Sequence, residues 1–124
     1  MPMTDRKAVL VVDDDRDLLS LIRFVLEQEG YQVETAAHGR DALGAVERGM
    51  PDLILLDMKM PVMDGWGFCA EFHARYGSRV PIVVLTASED ARKAAEQVGA
   101  SGWVGKPFDL DDLLNTIERL IGRK

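Results

Sequence analysis

The sequence predicts a doubly wound α/β sandwich: five parallel strands with helices on both faces. Two observations carry this. Short apolar runs alternate with longer amphipathic stretches along the chain, as they do where strand–helix–strand units repeat. Several of those runs also end in acidic or hydroxyl residues, and the carboxyl ends of parallel strands are where such a sheet gathers its polar side chains.

The elements follow in order. Ala8 to Val12 is too short for a helix and reads as a buried strand. From Arg16 to Glu29, Leu18, Leu19, Ile22, Val25 and Leu26 form a helical stripe, and Gly30 is placed to end it. Tyr31 to Thr35 alternates as a second strand. Arg40 to Arg48 predicts a short helix containing Gly44 and closed by Gly49 and Pro51. Asp52 to Leu56 is the third strand; Met60 to Gly65 is a turn, and a helix follows through about Arg75. Pro81 to Leu85 is the fourth strand. Ser88 is placed to cap a helix that runs to about Val98, and Gly99 to stop it. Ser101 to Gly105 is a short fifth strand. Asp109 then caps a final helix with the clearest period in the chain: Leu110, Leu113, Leu114, Ile117, Leu120 and Ile121. Right-handed crossovers between parallel strands put helices on both faces of the sheet.

A chain of 124 residues fits one domain, residues 1–124, with an ordered core of about residues 7–121. Frayed ends are expected at residues 1–6 and 122–124. The apolar fraction of 47% is ordinary for a globular protein. A net charge of -6 with scattered basic residues disfavours nucleic acid or an anionic membrane as a direct ligand. The single cysteine, Cys69, excludes an internal disulfide framework and fits a reducing, cytoplasmic setting. The run from Ala8 to Val12 is cut short by Asp13, so neither a signal peptide nor a membrane span is expected. The sequence has no repeat, low-complexity tract or internal linker.

The chemistry lies at the strand ends. The first strand leads into Asp13, Asp14 and Asp15; the third into Asp57; the fourth into Thr86; the fifth into Lys106 and Pro107. An acid after a strand is most often only a helix cap, and Asp15 is assigned that role. Their joint occurrence on successive strand ends points further. Carboxylates about 5 Å apart repel by roughly 3 kcal/mol per pair at an effective dielectric near 20, so the cluster calls for a cation. All-oxygen ligands suit Mg²⁺ or Mn²⁺, and the lack of thiolate or imidazole argues against zinc. A metal and Lys106 beside one carboxylate are the equipment of phosphoryl transfer, with Asp57 able to accept the group and Thr86 to donate a hydrogen bond to it.

At these residues the chain resembles the receiver domain of bacterial two-component response regulators. Val11-Val12-Asp13-Asp14, Leu55 through Gly65, Leu85-Thr86-Ala87 and Lys106-Pro107-Phe108 carry the resemblance, which spans essentially the whole chain. It implies a flavodoxin-like sheet of order 2-1-3-4-5. It implies Asp57 as phosphoacceptor, and Asp13, Asp14, Asp57 and the Lys59 backbone carbonyl as Mg²⁺ ligands. Thr86 and Ala87 then join the phosphate-binding and switch residues with Lys106, Trp103 is the switch aromatic, and the Lys106–Pro107 bond is cis. A histidine kinase or histidine phosphotransfer protein is the expected donor. A downstream protein binds the face made by the fourth helix, fifth strand and fifth helix, and the chain is a monomer or a phosphorylation-dependent dimer. Intrinsic autophosphorylation and autodephosphorylation are implied, without turnover of a metabolite.

Some residues depart from the family pattern or need a local reading. Trp103 is bulkier than the usual tyrosine, phenylalanine or histidine, which restricts its rotation. Lys59, two residues after the acceptor, can hang over the site, and Ser88 and Glu89 are placed to tune water access. Met58, Met60 and Met63 read as packing residues. Gly65 serves the turn, Cys69 is a core thiol, and His38 and His73 are surface residues. Trp66 packs or helps dock a partner. A Mg²⁺-dependent aspartyl-phosphate phosphohydrolase is the alternative. Those enzymes place a second aspartate two residues after the nucleophile, where this chain has Lys59, and they carry a cap this chain is too short to include. A flavin carrier would need a hydroxyl- and glycine-rich phosphate loop where Asp13, Asp14 and Asp15 stand.

Overall fold

Every apolar run of the sequence becomes a strand of one sheet in the computed structural model, which describes residues 6–122. The expected frayed ends lie mostly outside the described residues. The strands are β1 (Ala8–Val12), β2 (Gln32–Ala36), β3 (Leu53–Asp57), β4 (Ile82–Ala87) and β5 (Gly102–Lys106). They are joined by α1 (Arg16–Gln28), α2 (Gly39–Arg48), α3 (Gly65–Tyr76) and α4 (Ser88–Val98), and α5 (Leu110–Ile121) follows β5. All pairings are parallel, in the order β2-β1-β3-β4-β5. This is the predicted fold.

The two-residue period of each strand divides the core. Val9, Val11, Leu53, Leu55, Val83 and Leu85 pack against Leu19, Ile22 and Leu26 of α1 and Leu113 and Ile117 of α5. Leu10, Val12, Ile54, Leu56, Ile82 and Val84 pack on the other face, against α2, α3 and the small residues Ala94 and Ala95 of α4. Strands buried on both faces are near-continuous apolar runs, which is why the sequence shows them plainly. The same period governs what comes next. Asp13 and Asp57 continue the α1/α5 phase of their strands, whereas Thr86 continues the α2/α3/α4 phase.

The helix ends contain the corrections. Asp15 caps α1 as expected, its carboxylate accepting from the Leu18 N–H. Asp109 holds the N-cap position of α5 but makes no side-chain capping bond. Ser88 is not the cap of α4: β4 runs straight into the helix, Ser88 is its first residue, and Ala87 holds the cap position without a polar side chain. His38 is half-buried rather than a surface residue. Its Nδ1 accepts from the Asp41 N–H at 3.2 Å, while Asp41 Oδ2 accepts from the Ala37 N–H at 3.3 Å, so the two side chains cap α2 reciprocally. His73 is also half-buried, its ring edge-on to Phe72 with centroids 6.1 Å apart.

The loop from β3 to α3 is fixed at both ends. The Gly39 N–H donates to the Met63 carbonyl, and the Gly65 N–H to the Met58 carbonyl. A Cβ on Gly65 would lie 2.5 Å from Met58 Sδ and 2.7 Å from its Cα, so close approach, not the turn alone, demands glycine there. Between these anchors Val62 adopts φ +70°, a strained backbone for a β-branched residue, with 74% of its surface exposed.

Candidate functional site

The site grows from the carboxyl edge of the sheet. β1 and β3 are adjacent, so Asp13 and Asp57 emerge side by side, and Asp14 follows directly. Each of the three offers a carboxylate oxygen within 4.8 Å of the others. Asp13 is fully buried, Asp57 is 5% exposed and Asp14 is exposed. Asp13 Oδ1 accepts from the Asp15 N–H at 2.9 Å. Lys106 reaches in from the end of β5: its Nζ donates to Asp13 Oδ2 at 2.8 Å and lies 3.8 Å from Asp57 Oδ2. Asp57 Oδ1 accepts from the Lys59 N–H at 3.3 Å.

These contacts set the electrostatics. Burial is the largest effect on Asp57 and raises its pKa, as do the charges of Asp13 and Asp14; the Lys106 charge and the Lys59 N–H oppose them. The result is about 6, from an ordinary 3.8. For Lys106, burial pulls the pKa down, but the hydrogen bond and charge of Asp13, with the charges of Asp57 and Asp15, leave it above its ordinary value. One lysine therefore faces three clustered acids. That donor set, oxygen only and in excess of the local positive charge, fits a hard divalent cation such as Mg²⁺.

Thr86 is buried at the end of β4, one residue beyond Leu85, the register partner of Asp57. The next residues along the chain, Ala87 and Glu89, are exposed, and the Ser88 side chain lies outside what the structure describes. The Lys106–Pro107 bond is cis. Two expected participants face elsewhere. Trp103 is 48% exposed on β5. The Lys59 ammonium lies 3.8 Å from Asp90 Oδ2, on the first turn of α4. Trp66 is partly exposed and donates its indole N–H to Gln97 Oε1 at 3.1 Å. That contact joins residues 31 apart in sequence, and no local pattern announces it. Cys69 is buried, and burial pushes its thiol up to about 12, consistent with a core role. Among the described residues, no helix is long and apolar enough to cross a membrane.

Comparison with known proteins identifies the family. The sequence pattern of the response regulator receiver domain matches residues 9–118. The response regulator MprA of Mycolicibacterium vanbaalenii is 39% identical over 117 residues, covering 93% of this chain and 50% of its own length. A probable transcriptional regulator, ycf27, of Guillardia theta is 38% identical, over 95% of this chain and 46% of its own. This chain thus spans about half the length of the curated relatives it matches. Among solved structures, the chemotaxis response regulator CheY4 of Vibrio cholerae superposes with a TM-score of 0.85 at 36% identity, covering 94% of this chain and 99% of its own. The response regulator TrrA of Thermotoga maritima, solved in complex with Mg²⁺ and BeF, gives 0.82 at 31% identity, covering 93% and 99%. The fold, the edge of acids and these matches lead to one conclusion: the chain belongs to the family of response regulator receiver domains.

Proposed function

We propose that residues 1–124 form one phosphorylation-dependent switch that accepts a phosphoryl group on Asp57. The observation that carries this is the buried carboxylate itself, clustered with Asp13 and Asp14 and 3.8 Å from the Lys106 ammonium. At neutral pH a group titrating near 6 is mostly ionised and therefore nucleophilic. An Asp57 oxygen forms the new bond to phosphorus. The bond from phosphorus to the donor's imidazole nitrogen breaks, and that nitrogen keeps the electron pair and takes up a proton from solvent. Lys106 neutralises charge on the incoming group, and the Lys59 N–H holds one carboxylate oxygen while the other attacks. Asp13, Asp14, Asp57 and the Lys59 carbonyl would hold Mg²⁺, which would supply further positive charge at the site.

The donor is a histidine kinase or histidine phosphotransfer protein, in the cytoplasm. Thr86 and Ala87 sense the phosphoryl group, and Trp103 belongs to the face made by α4, β5 and α5 that a downstream protein reads. Ser88 and Glu89 tune water access. The domain phosphorylates itself from small donors and loses the group by hydrolysis, without metabolic turnover. A phosphohydrolase is disfavoured because position 59 is lysine, not a second aspartate. The test is incubation with acetyl phosphate and Mg²⁺ followed by intact mass. The expected result is a phosphate adduct on the parent that is lost in Asp57→Asn; an adduct retained unchanged in the variant would move the acceptor elsewhere.

A further inference from the structure

The two ends of α4 are held very differently. At its C-terminus, Gly99 is left-handed and its N–H donates to the Ala95 and Glu96 carbonyls, while the Ala100 N–H also returns to Ala95. Gln97 is tied across to the Trp66 indole. At its N-terminus, Ala87 offers no capping group. A side-chain tie there is the exposed ion pair between Asp90 and Lys59. Between the two ties runs a groove of about 210 Å³ lined by Lys59, Trp66, Thr86, Asp90, Lys93, Ala94 and Gln97. Its walls include both the loop that starts after Asp57 and the buried hydroxyl of Thr86. Along the buried side, α4 presents Ala91, Ala94 and Ala95, small residues that interlock weakly with the layer beneath.

We propose that Lys59 and Asp90 form a latch that charge on Asp57 opens, so that α4 loosens at its first turn while its far end stays fixed at Trp66 and Gln97. The proposal rests on Asp57 being the phosphoacceptor. The Lys59 backbone N–H is bonded to Asp57 Oδ1, so its ammonium, on a flexible four-carbon stem, is anchored within reach of both the acceptor and Asp90. Replacing a carboxylate by an acyl phosphate raises the local charge from -1 to as much as about -2 and adds acceptor oxygens. The ammonium then leaves the exposed carboxylate of Asp90 for the phosphoryl group. Asp90 is a positioning residue in this scheme and touches no reacting atom.

The test is amide hydrogen exchange on the whole chain, read at residues 92–94, whose helical acceptors are the carbonyls of the first turn. Without phosphodonor, Asp90→Asn and Lys59→Met are each expected to speed exchange there about threefold to fivefold, the range an exposed ion pair supplies. The double variant should add nothing further, Asp90→Glu should restore the parent rate, and residues 96–98 should not change. Gln97→Leu should do the reverse, loosening residues 96–98. With acetyl phosphate and Mg²⁺, the parent should acquire the fast rate of Asp90→Asn, and Asp90→Asn should gain no more. Unchanged exchange at residues 92–94 in either single variant, or in a parent whose mass shows the phosphate adduct, would overturn the latch. Failure to form any adduct would instead remove the acceptor assignment, and with it the trigger, leaving the resting tie to be judged on the unphosphorylated variants alone.

Discussion

Asp57 has a lysine on each flank, and the two are built for different work. Lys106 is 29% exposed in its side chain and rests 2.8 Å from a buried carboxylate. Lys59 is 69% exposed and stands 3.8 Å from a carboxylate that is itself mostly in water. The first pair is desolvated and short, and the three acids depend on it for charge balance. The second is screened and long, worth little to the fold and easily exchanged for another partner. Burial therefore distinguishes a fixed countercharge from a movable one, though both belong to the same site.

That contrast fails if the two flanks respond alike to substitution. Lys106→Met leaves Asp13 buried without its cation, and should lower stability by about 3 kcal/mol in urea denaturation without metal. Adding Mg²⁺ should recover part of the loss.

Asp57→Asn acts in the opposite direction. The folded protein holds the Asp57 proton more tightly than the unfolded chain does. Its contribution is fully present below the unfolded value near 3.8 and is lost as pH rises through about 6. At pH 7 the ionised group is thus a cost, and the asparagine variant should be more stable than the parent by about 2 kcal/mol without metal. The gain should shrink toward zero below pH 4, and Mg²⁺ should stabilise the parent more than the variant.

On the Lys59 flank the expected effects are smaller. Val62→Asn relieves a strained left-handed backbone at an exposed position and should raise stability by about 1 kcal/mol. Lys59→Met should move the unfolding midpoint by no more than the equivalent of about 1 kcal/mol. A loss comparable to that of Lys106→Met would erase the distinction between the two lysines.

The sheet and most helix boundaries were legible because strands buried on both faces and helices with one apolar stripe leave a period in the sequence. The acids were legible because a carboxylate at the end of a buried run is costly without a partner. What stayed hidden depends on tertiary neighbours. His38 is an unusual cap, and its role appears only when Asp41 returns the bond. Asp90 and Gln97 look like ordinary solvated helix residues until α4 lies against residues 59–66. Ser88 fits a cap pattern, but β4 continues directly into α4 and moves the cap to Ala87, whose side chain has nothing to donate or accept.

The tight seat of Gly65 has a consequence for the acceptor at the end of β3. Met58, which a methyl group at position 65 would strike in both side chain and backbone, is the residue bonded to Asp57. The start of α3 therefore works as a depth gauge for the carboxylate: Gly65→Ala can be housed only by displacing the peptide next to Asp57, so a change remote from the charges would reset how far the acceptor projects toward them.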